Sequence, residues 1–358
     1  MNLEPGNIPI EENKVVVTLL NDNYLSNDII NLGVHSVDKT KITNVSIDSE
    51  DYFDIDKYTF IKDGFQTLTF EPETMDKIKL IYEASQQLSP TDSKESIPKT
   101  DSQFIQNSID VLQDWVKNKY TELTGKTNIV VVCSRNMMFR VAGCDKESCQ
   151  VSGNPLMHLD YLNFEATYKR QCLENYLQRT YPTIKTITCP PESQLIDIVN
   201  IWFPTVEVTD WPLGFLNMDN IEIKDYVSIR TGIETDAASI RYKDGLRAIY
   251  KKNMKPPELY FFRSATKDSS KKGVIHGSFR ITSENFKRKS IELRCCIFET
   301  PTREQRHMAT EPGNDELYPP SSGTVSLGGK KRKTKKCNNK KFKKINSRTR
   351  KLKKFINY

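Results

Sequence analysis

The chain has 358 residues, with 53 Lys/Arg, 46 Asp/Glu and 37% hydrophobic residues. That length suits one large domain or two ordinary ones with a sizeable core. No apolar run approaches the roughly 20 residues of a membrane-spanning helix, and Met1 to Lys14 lacks the basic-then-apolar pattern of a secretory signal, so the sequence reads as intracellular and not membrane-bound.

In chain order, Val15 to Leu20 reads as a strand. Asp54 to Phe70, with a turn signal at Asp63-Gly64, reads as a hairpin. Thr74 to Gln86 reads as a short helix after Pro72. Leu88 to Ser102 is polar, has no apolar period and reads as a flexible insertion. Ile105, Ile109, Leu112, Val116, Tyr120 and Leu123 then share one face of a helix. Gly125 suits its left-handed cap.

From Ile129 the pattern changes to short strands: Ile129 to Cys133, Leu156 to Tyr161, Ile198 to Trp202, Glu258 to Phe262, Gly273 to Phe279 and Ser290 to Phe298. Phe164 to Arg179 has helical character. This order predicts a mainly β (α+β) protein with a double-stranded β-helix, or jelly-roll, core and N-terminal helices packed outside. The expected division is an N-terminal α/β region at 1–127 packing on the core, with the insertion at 88–102. A core at 128–305, a linker at 306–329 and a disordered basic tail at 330–358 complete it. No internal repeat and no glycine-rich phosphate loop is present.

The eight cysteines, Cys133, Cys144, Cys149, Cys172, Cys189, Cys295, Cys296 and Cys337, form no CxxC pair. A structural zinc site therefore has little support, and the cysteines fit a reducing compartment. Cys144 and Cys149 could be ligands or a disulfide, with free thiols in a loop as the favoured reading. In the Cys295-Cys296 strand, one of the pair should face the core.

Two of the four histidines carry the chemistry. In a strand His158 and Asp160 point to one side, and His276 lies in a later strand, 118 residues on. Two histidines and a carboxylate can hold one face of Fe(II) and leave the other open for oxygen chemistry. Arg288-Lys289-Ser290 follows the second histidine; an arginine fork and a hydroxyl suit a dicarboxylate such as 2-oxoglutarate. A zinc hydrolase is a competing use of the same ligands.

The neighbouring segments resemble the CmcJ/NvfI family of non-haem Fe(II)/2-oxoglutarate-dependent oxygenases. The matching stretches are His158-Leu159-Asp160-Tyr161, Asn200-Ile201-Trp202-Phe203-Pro204, Asp210-Trp211-Pro212-Leu213, Leu259-Tyr260-Phe261-Phe262, His276-Gly277-Ser278-Phe279 and Arg288 through Arg294. The resemblance spans about residues 14 to 300. It implies Fe(II) on His158, Asp160 and His276, with O2 as co-substrate. It implies 2-oxoglutarate bound by Arg288 and Ser290, with Asn200 and Tyr260 near it and Arg294 as the alternative anchor. It also implies a substrate pocket with Trp202, Phe203 and Trp211. Phe203 departs from the family pattern, which has an arginine there.

The tail is a different physical object. Residues 330–358 hold 15 Lys/Arg and no Asp/Glu, so the rest of the chain carries 38 basic and 46 acidic residues. Lys330, Lys331, Arg332, Lys333, Lys335 and Lys336 open a run that suits polyanions without sequence readout, or nuclear import. Gly-Gly followed by such a run resembles tails of giant-virus proteins, which suggests a viral source and a host-cytoplasm or virion location. The expected function is oxidation of a small organic substrate by hydrogen abstraction. The alternatives are the same chemistry on a nucleic-acid-associated macromolecule, or a non-enzymatic virion or binding protein on an oxygenase scaffold.

Overall fold

The β-rich part of the sequence, with three strands from its N-terminal third, builds two sheets that share one interior. The computed structural model describes residues 10–22, 41–88, 102–134, 137–142, 156–162, 194–230, 236–281 and 288–300. All of them belong to one compact unit, residues 1–305. The expected linker, the basic tail and the helix expected at 164–179 lie outside the described residues, as do residues 89–101 of the insertion. No described helix is long and apolar enough to cross a membrane.

The strands are β1 (Lys14–Leu20), β2 (Ile42–Asp51), β3 (Phe65–Thr69), β4 (Ile129–Cys133), β5 (Met138–Ala142), β6 (His158–Leu159) and β7 (Gln194–Pro204). They continue with β8 (Leu213–Leu216), β9 (Tyr226–Arg230), β10 (Asp236–Ile240), β11 (Arg247–Tyr250), β12 (Glu258–Thr266), β13 (His276–Ser278) and β14 (Arg288–Glu299). The first sheet runs β1-β2-β11-β8-β13-β6-β10-β9 and the second β3-β12-β7-β14-β4, with β5 also pairing with β14. Apart from the parallel β2–β11 pair, the neighbours within these sheets are antiparallel. This mainly β architecture is the jelly-roll fold that the strand pattern predicts.

Four helices cover the outer face of the second sheet: α1 (Phe60–Asp63), α2 (Pro72–Lys77), α3 (Lys79–Gln87) and α4 (Gln103–Thr124). In α4 the predicted stripe is the buried one, with Ile105, Ile109, Leu112, Val116 and Tyr120 in the core. Gly125 ends it at φ 73°, a left-handed value that costs glycine little. Against these helices pack Ile291, Leu293, Cys295 and Ile297 of β14, with Val199, Ile201 and Phe203 of β7. Period-two alternation then sends Arg288, Ser290, Glu292 and Arg294, and Asn200 and Trp202, to the inner face.

Three expectations change. The N-terminal third does more than pack on the core: β1 and β2 are strands of the first sheet and β3 of the second. The hairpin expected at Asp54 to Phe70 is a helical turn followed by a strand. The Thr59 hydroxyl accepts from Lys62 N at 3.4 Å, Asp63 Oδ2 accepts from Thr59 N at 2.8 Å, and Gly64 ends the turn at φ 82°. These local caps favour the turn, and β3 pairs with the distant β12. The expectation of a reducing compartment also meets an exception. Cys133 and Cys295 lie opposite each other in the β4–β14 register and form a disulfide. Cys296 is buried, while Cys144, Cys149, Cys172, Cys189 and Cys337 lie outside the described residues.

Candidate metal centre

Register brings the two histidines together. His276 of β13 is the direct antiparallel neighbour of His158 of β6, and their rings lie 4.5 Å apart between centroids. Gly277 permits this approach: a Cβ there would meet Met157 Sδ at 2.8 Å and the Leu156 carbonyl at 3.1 Å. Asp160 stands in the bend just after β6, beyond its two residues. Strand parity therefore does not aim its carboxylate; side-chain contacts do. His158, Asp160 and His276 offer ligand atoms that all lie within 4.8 Å of one another, the one such group among the described residues.

The donor atoms suit a cation. His158 Nδ1 lies 2.7 Å from the Leu156 carbonyl and His276 Nδ1 lies 3.1 Å from the Val274 carbonyl. A carbonyl can only accept, so each Nδ1 carries the proton and each Nε2 presents a lone pair. Those Nε2 atoms face Asp160, at 3.7 Å from Oδ1 for His158 and 4.0 Å from Oδ2 for His276. Burial, then the neighbouring His158, lowers the His276 pKa to about 4, with Asp160 opposing. His276 is therefore neutral at pH 7, as a ligand must be. Burial pushes the Asp160 carboxyl up, but the Arg294 charge and the two histidines hold it well below the usual carboxylate range. Two imidazole rings and a carboxylate thus converge on one space, a donor set that suits a metal ion.

Arg288 lies beside this group, on the inner face of β14. It is 2% exposed. Its guanidinium donates to the Ser278 and Ser290 hydroxyls and to the Trp211 carbonyl at 3.0 Å, and sits 5.4 Å from the Trp202 ring centre. All these acceptors are neutral, and no carboxylate among the described residues lies within ion-pair distance of it. Burial, then the Arg140 charge, lowers its pKa to about 9, with Glu292 opposing, so it keeps its charge at neutral pH. A buried guanidinium without a counterion is costly, and an anion would relieve that cost. The Trp202 indole N–H is also buried without an acceptor, where a ligand oxygen could serve.

The other expected residues divide. Ser290 is buried against Arg288. Asn200 donates to Asp160 Oδ2 at 3.3 Å and to Glu292 Oε1 at 3.0 Å. Trp202 and Tyr260 are opposed across β7 and β12 and share the inter-sheet core. The Tyr260 hydroxyl accepts from Lys251 N at 2.8 Å. Trp211 has a left-handed backbone at φ 54°, and its carbonyl turns onto Arg288. Phe203 is a correction: it packs with Phe70 and Tyr82 under the helices, on the face of β7 away from the metal ligands, because it is one residue out of phase with Trp202. Arg294 pairs with Asp160 Oδ2 at 2.9 Å and is not free to anchor a co-substrate. Ser278, Arg140 and Glu292 were not expected here. Ser278 and Glu292 sat inside the quoted motifs, at inward strand positions, and parity would have found both. Lys330, Lys331, Arg332, Lys333, Lys335 and Lys336 lie outside the described residues.

A jelly roll enclosing a buried His/Asp/His group is the class of structure that results. A family model described as an oxidoreductase/YMDC permease-like domain matches residues 141–298. Among solved structures, the iron and alpha-ketoglutarate-dependent endoperoxidase NvfI is similar at 14% identity and a TM-score of 0.54, covering 80% of this chain and 98% of that one. A variant of the same protein gives 13% identity and a TM-score of 0.57, covering 82% of this chain and 100% of that one. Another structure of it, in a different conformation, gives 15% and 0.55, covering 80% and 98%. These likenesses show a shared fold. No curated protein sequence matches the chain.

Proposed function

We propose that the chain is an Fe(II)/2-oxoglutarate-dependent oxygenase that oxidises a small organic substrate. One observation carries the reading: the buried His158, Asp160 and His276 donors converge beside a buried Arg288 whose bonding partners are all neutral. A zinc hydrolase would use the three ligands but gives no purpose to Arg288. The oxidoreductase description of the family model and the cofactor of the structural neighbours point the same way.

In this reading His158, Asp160 and His276 hold the ion, and their fixed Nδ1–H bonds keep both imidazoles in the ligating tautomer. Arg288, supported by Ser290 and Ser278, binds the distal carboxylate of 2-oxoglutarate and so orients its other end toward the three ligands. Trp202 and Tyr260 exclude water from the inter-sheet side. When bound, Fe(II) with 2-oxoglutarate and O2 supplies the oxidising power to take a hydrogen atom from a C–H bond. The test is succinate release from 2-oxoglutarate by Fe(II)-loaded protein, expected in the wild type and lost in His158→Ala and His276→Ala. Succinate release that persists in both variants would overturn the reading.

The basic tail favours a second arm of this proposal. Its 15 Lys/Arg and absence of acidic residues suit phosphate neutralisation on a polyanion, which would carry the same chemistry to a nucleic-acid-associated target. Turnover on such a target should fall at moderate salt when residues 330–358 are removed; unchanged turnover would exclude delivery by the tail.

A further inference from the structure

Asp160 is the one candidate ligand without a strand to aim it. β6 ends at Leu159, yet the carboxylate is largely enclosed, at 11% exposure, and lies within reach of both histidines. What holds it comes from the opposite sheet. Arg294, on the inner face of β14, places one guanidinium nitrogen 2.9 Å from Asp160 Oδ2. A second donates to the Tyr161 hydroxyl at 2.9 Å, and Nε donates to Asn200 Oδ1 at 3.4 Å. The guanidinium also lies 5.2 Å from the Tyr161 ring centre. Asn200 turns its amide N–H to the same oxygen, Oδ2, at 3.3 Å, and Glu292 fixes that amide from its other side at 3.0 Å. Both donors thus fall on Oδ2, the oxygen 4.0 Å from His276 Nε2, while Oδ1 faces His158 Nε2 at 3.7 Å and carries no such donor.

We propose that Arg294, with Asn200, is the positioning residue of the metal centre: it reserves Asp160 Oδ2, so that the carboxylate offers an ion Oδ1 alone. The inference rests on the metal reading above. A carboxylate can otherwise chelate through both oxygens. On a six-coordinate ion with two histidines, chelation by Asp160 leaves two positions; binding through one oxygen leaves three. A chelating 2-oxo acid needs two and O2 needs a third, so occupation of Oδ2 decides whether the site can host both. Arginine suits the task because its rigid fork meets Asp160, Tyr161 and Asn200 together. Lysine, a point donor, could reach Oδ2 but could not brace the other two.

The experiment uses full-length protein under anaerobic conditions with Co(II), whose visible d–d absorption reports the geometry of its ligand set, followed by titration of 2-oxoglutarate. The wild type should bind Co(II) and change spectrum as 2-oxoglutarate enters. Arg294→Gln should bind Co(II) about 10- to 100-fold more weakly, show an altered spectrum before 2-oxoglutarate is added, and respond less to it. Arg294→Lys should recover part of the wild-type spectrum. A wild-type spectrum in Arg294→Gln, whatever its affinity, would overturn the proposal and leave Arg294 a structural residue. If Arg294→Gln fails to fold, Asn200→Ser interrogates the same oxygen: an altered Co(II) spectrum supports the proposal and an unaltered one overturns it. Failure of the wild type to take up Co(II) would instead refute the metal reading on which the inference rests.

Discussion

Arg288 is the residue on which the co-substrate assignment turns. Its neighbours are two serine hydroxyls and a carbonyl, whereas Arg294 already has a carboxylate at 2.9 Å. Charge-assisted hydrogen bonds contribute about 1.5–3 kcal/mol each. Arg288→Gln should therefore weaken 2-oxoglutarate binding at least about tenfold by calorimetry, without lowering the melting temperature of the metal-free protein, because it removes a buried charge with no carboxylate partner among the described residues. Unchanged binding would return the anchor to another residue. The motif Arg-x-Ser-Ile-Glu-x-Arg held both candidates, and sequence could not separate them. They share the inward face of one strand; they differ in what stands opposite each, which only the first sheet decides.

At the scale of elements, β14 is the strand that joins the two layers. Its odd positions, Ile291, Leu293, Cys295 and Ile297, pack under the helices, and its even positions from Arg288 to Arg294 carry the polar network. Leu293→Ala should cost about 2–5 kcal/mol, read as a lower denaturation midpoint, while the ligand geometry stays intact. Gly277→Ala should do the reverse in emphasis: β13 must shift from Met157 and the Leu156 carbonyl, separating the histidines and weakening Co(II) uptake more than global stability. Much of this was legible. The helical stripe of α4 and the strands around His276 and β14 follow from periodicity alone. Phe203 was misassigned because a motif match carries neighbours in sequence, whereas one residue along a strand reverses the side chain. The aim of Asp160 was illegible for another reason: β6 is two residues long, and its orientation comes from Arg294, 134 residues away. The Cys133–Cys295 pairing likewise depends on the β4–β14 register, which no local pattern encodes.

For the whole molecule, the fold and the candidate centre lie within residues 1–305, and the strongest basic run lies at 330–358. Removal of 330–358 should leave the melting temperature and Co(II) binding unchanged while shortening retention on a heparin column, since polyanion binding follows the charge of the tail. Loss of metal binding on that truncation would show that the tail serves the site. The central claim, that this jelly roll holds Fe(II) through His158, Asp160 and His276 and 2-oxoglutarate through Arg288, is tested most directly by anaerobic addition of 2-oxoglutarate to the Fe(II)-loaded protein. A visible charge-transfer band should appear in the wild type, be absent in His158→Ala and His276→Ala, and require more 2-oxoglutarate in Arg288→Gln. Folded wild-type protein that takes up Fe(II) yet develops no such band at saturating 2-oxoglutarate would contradict the account.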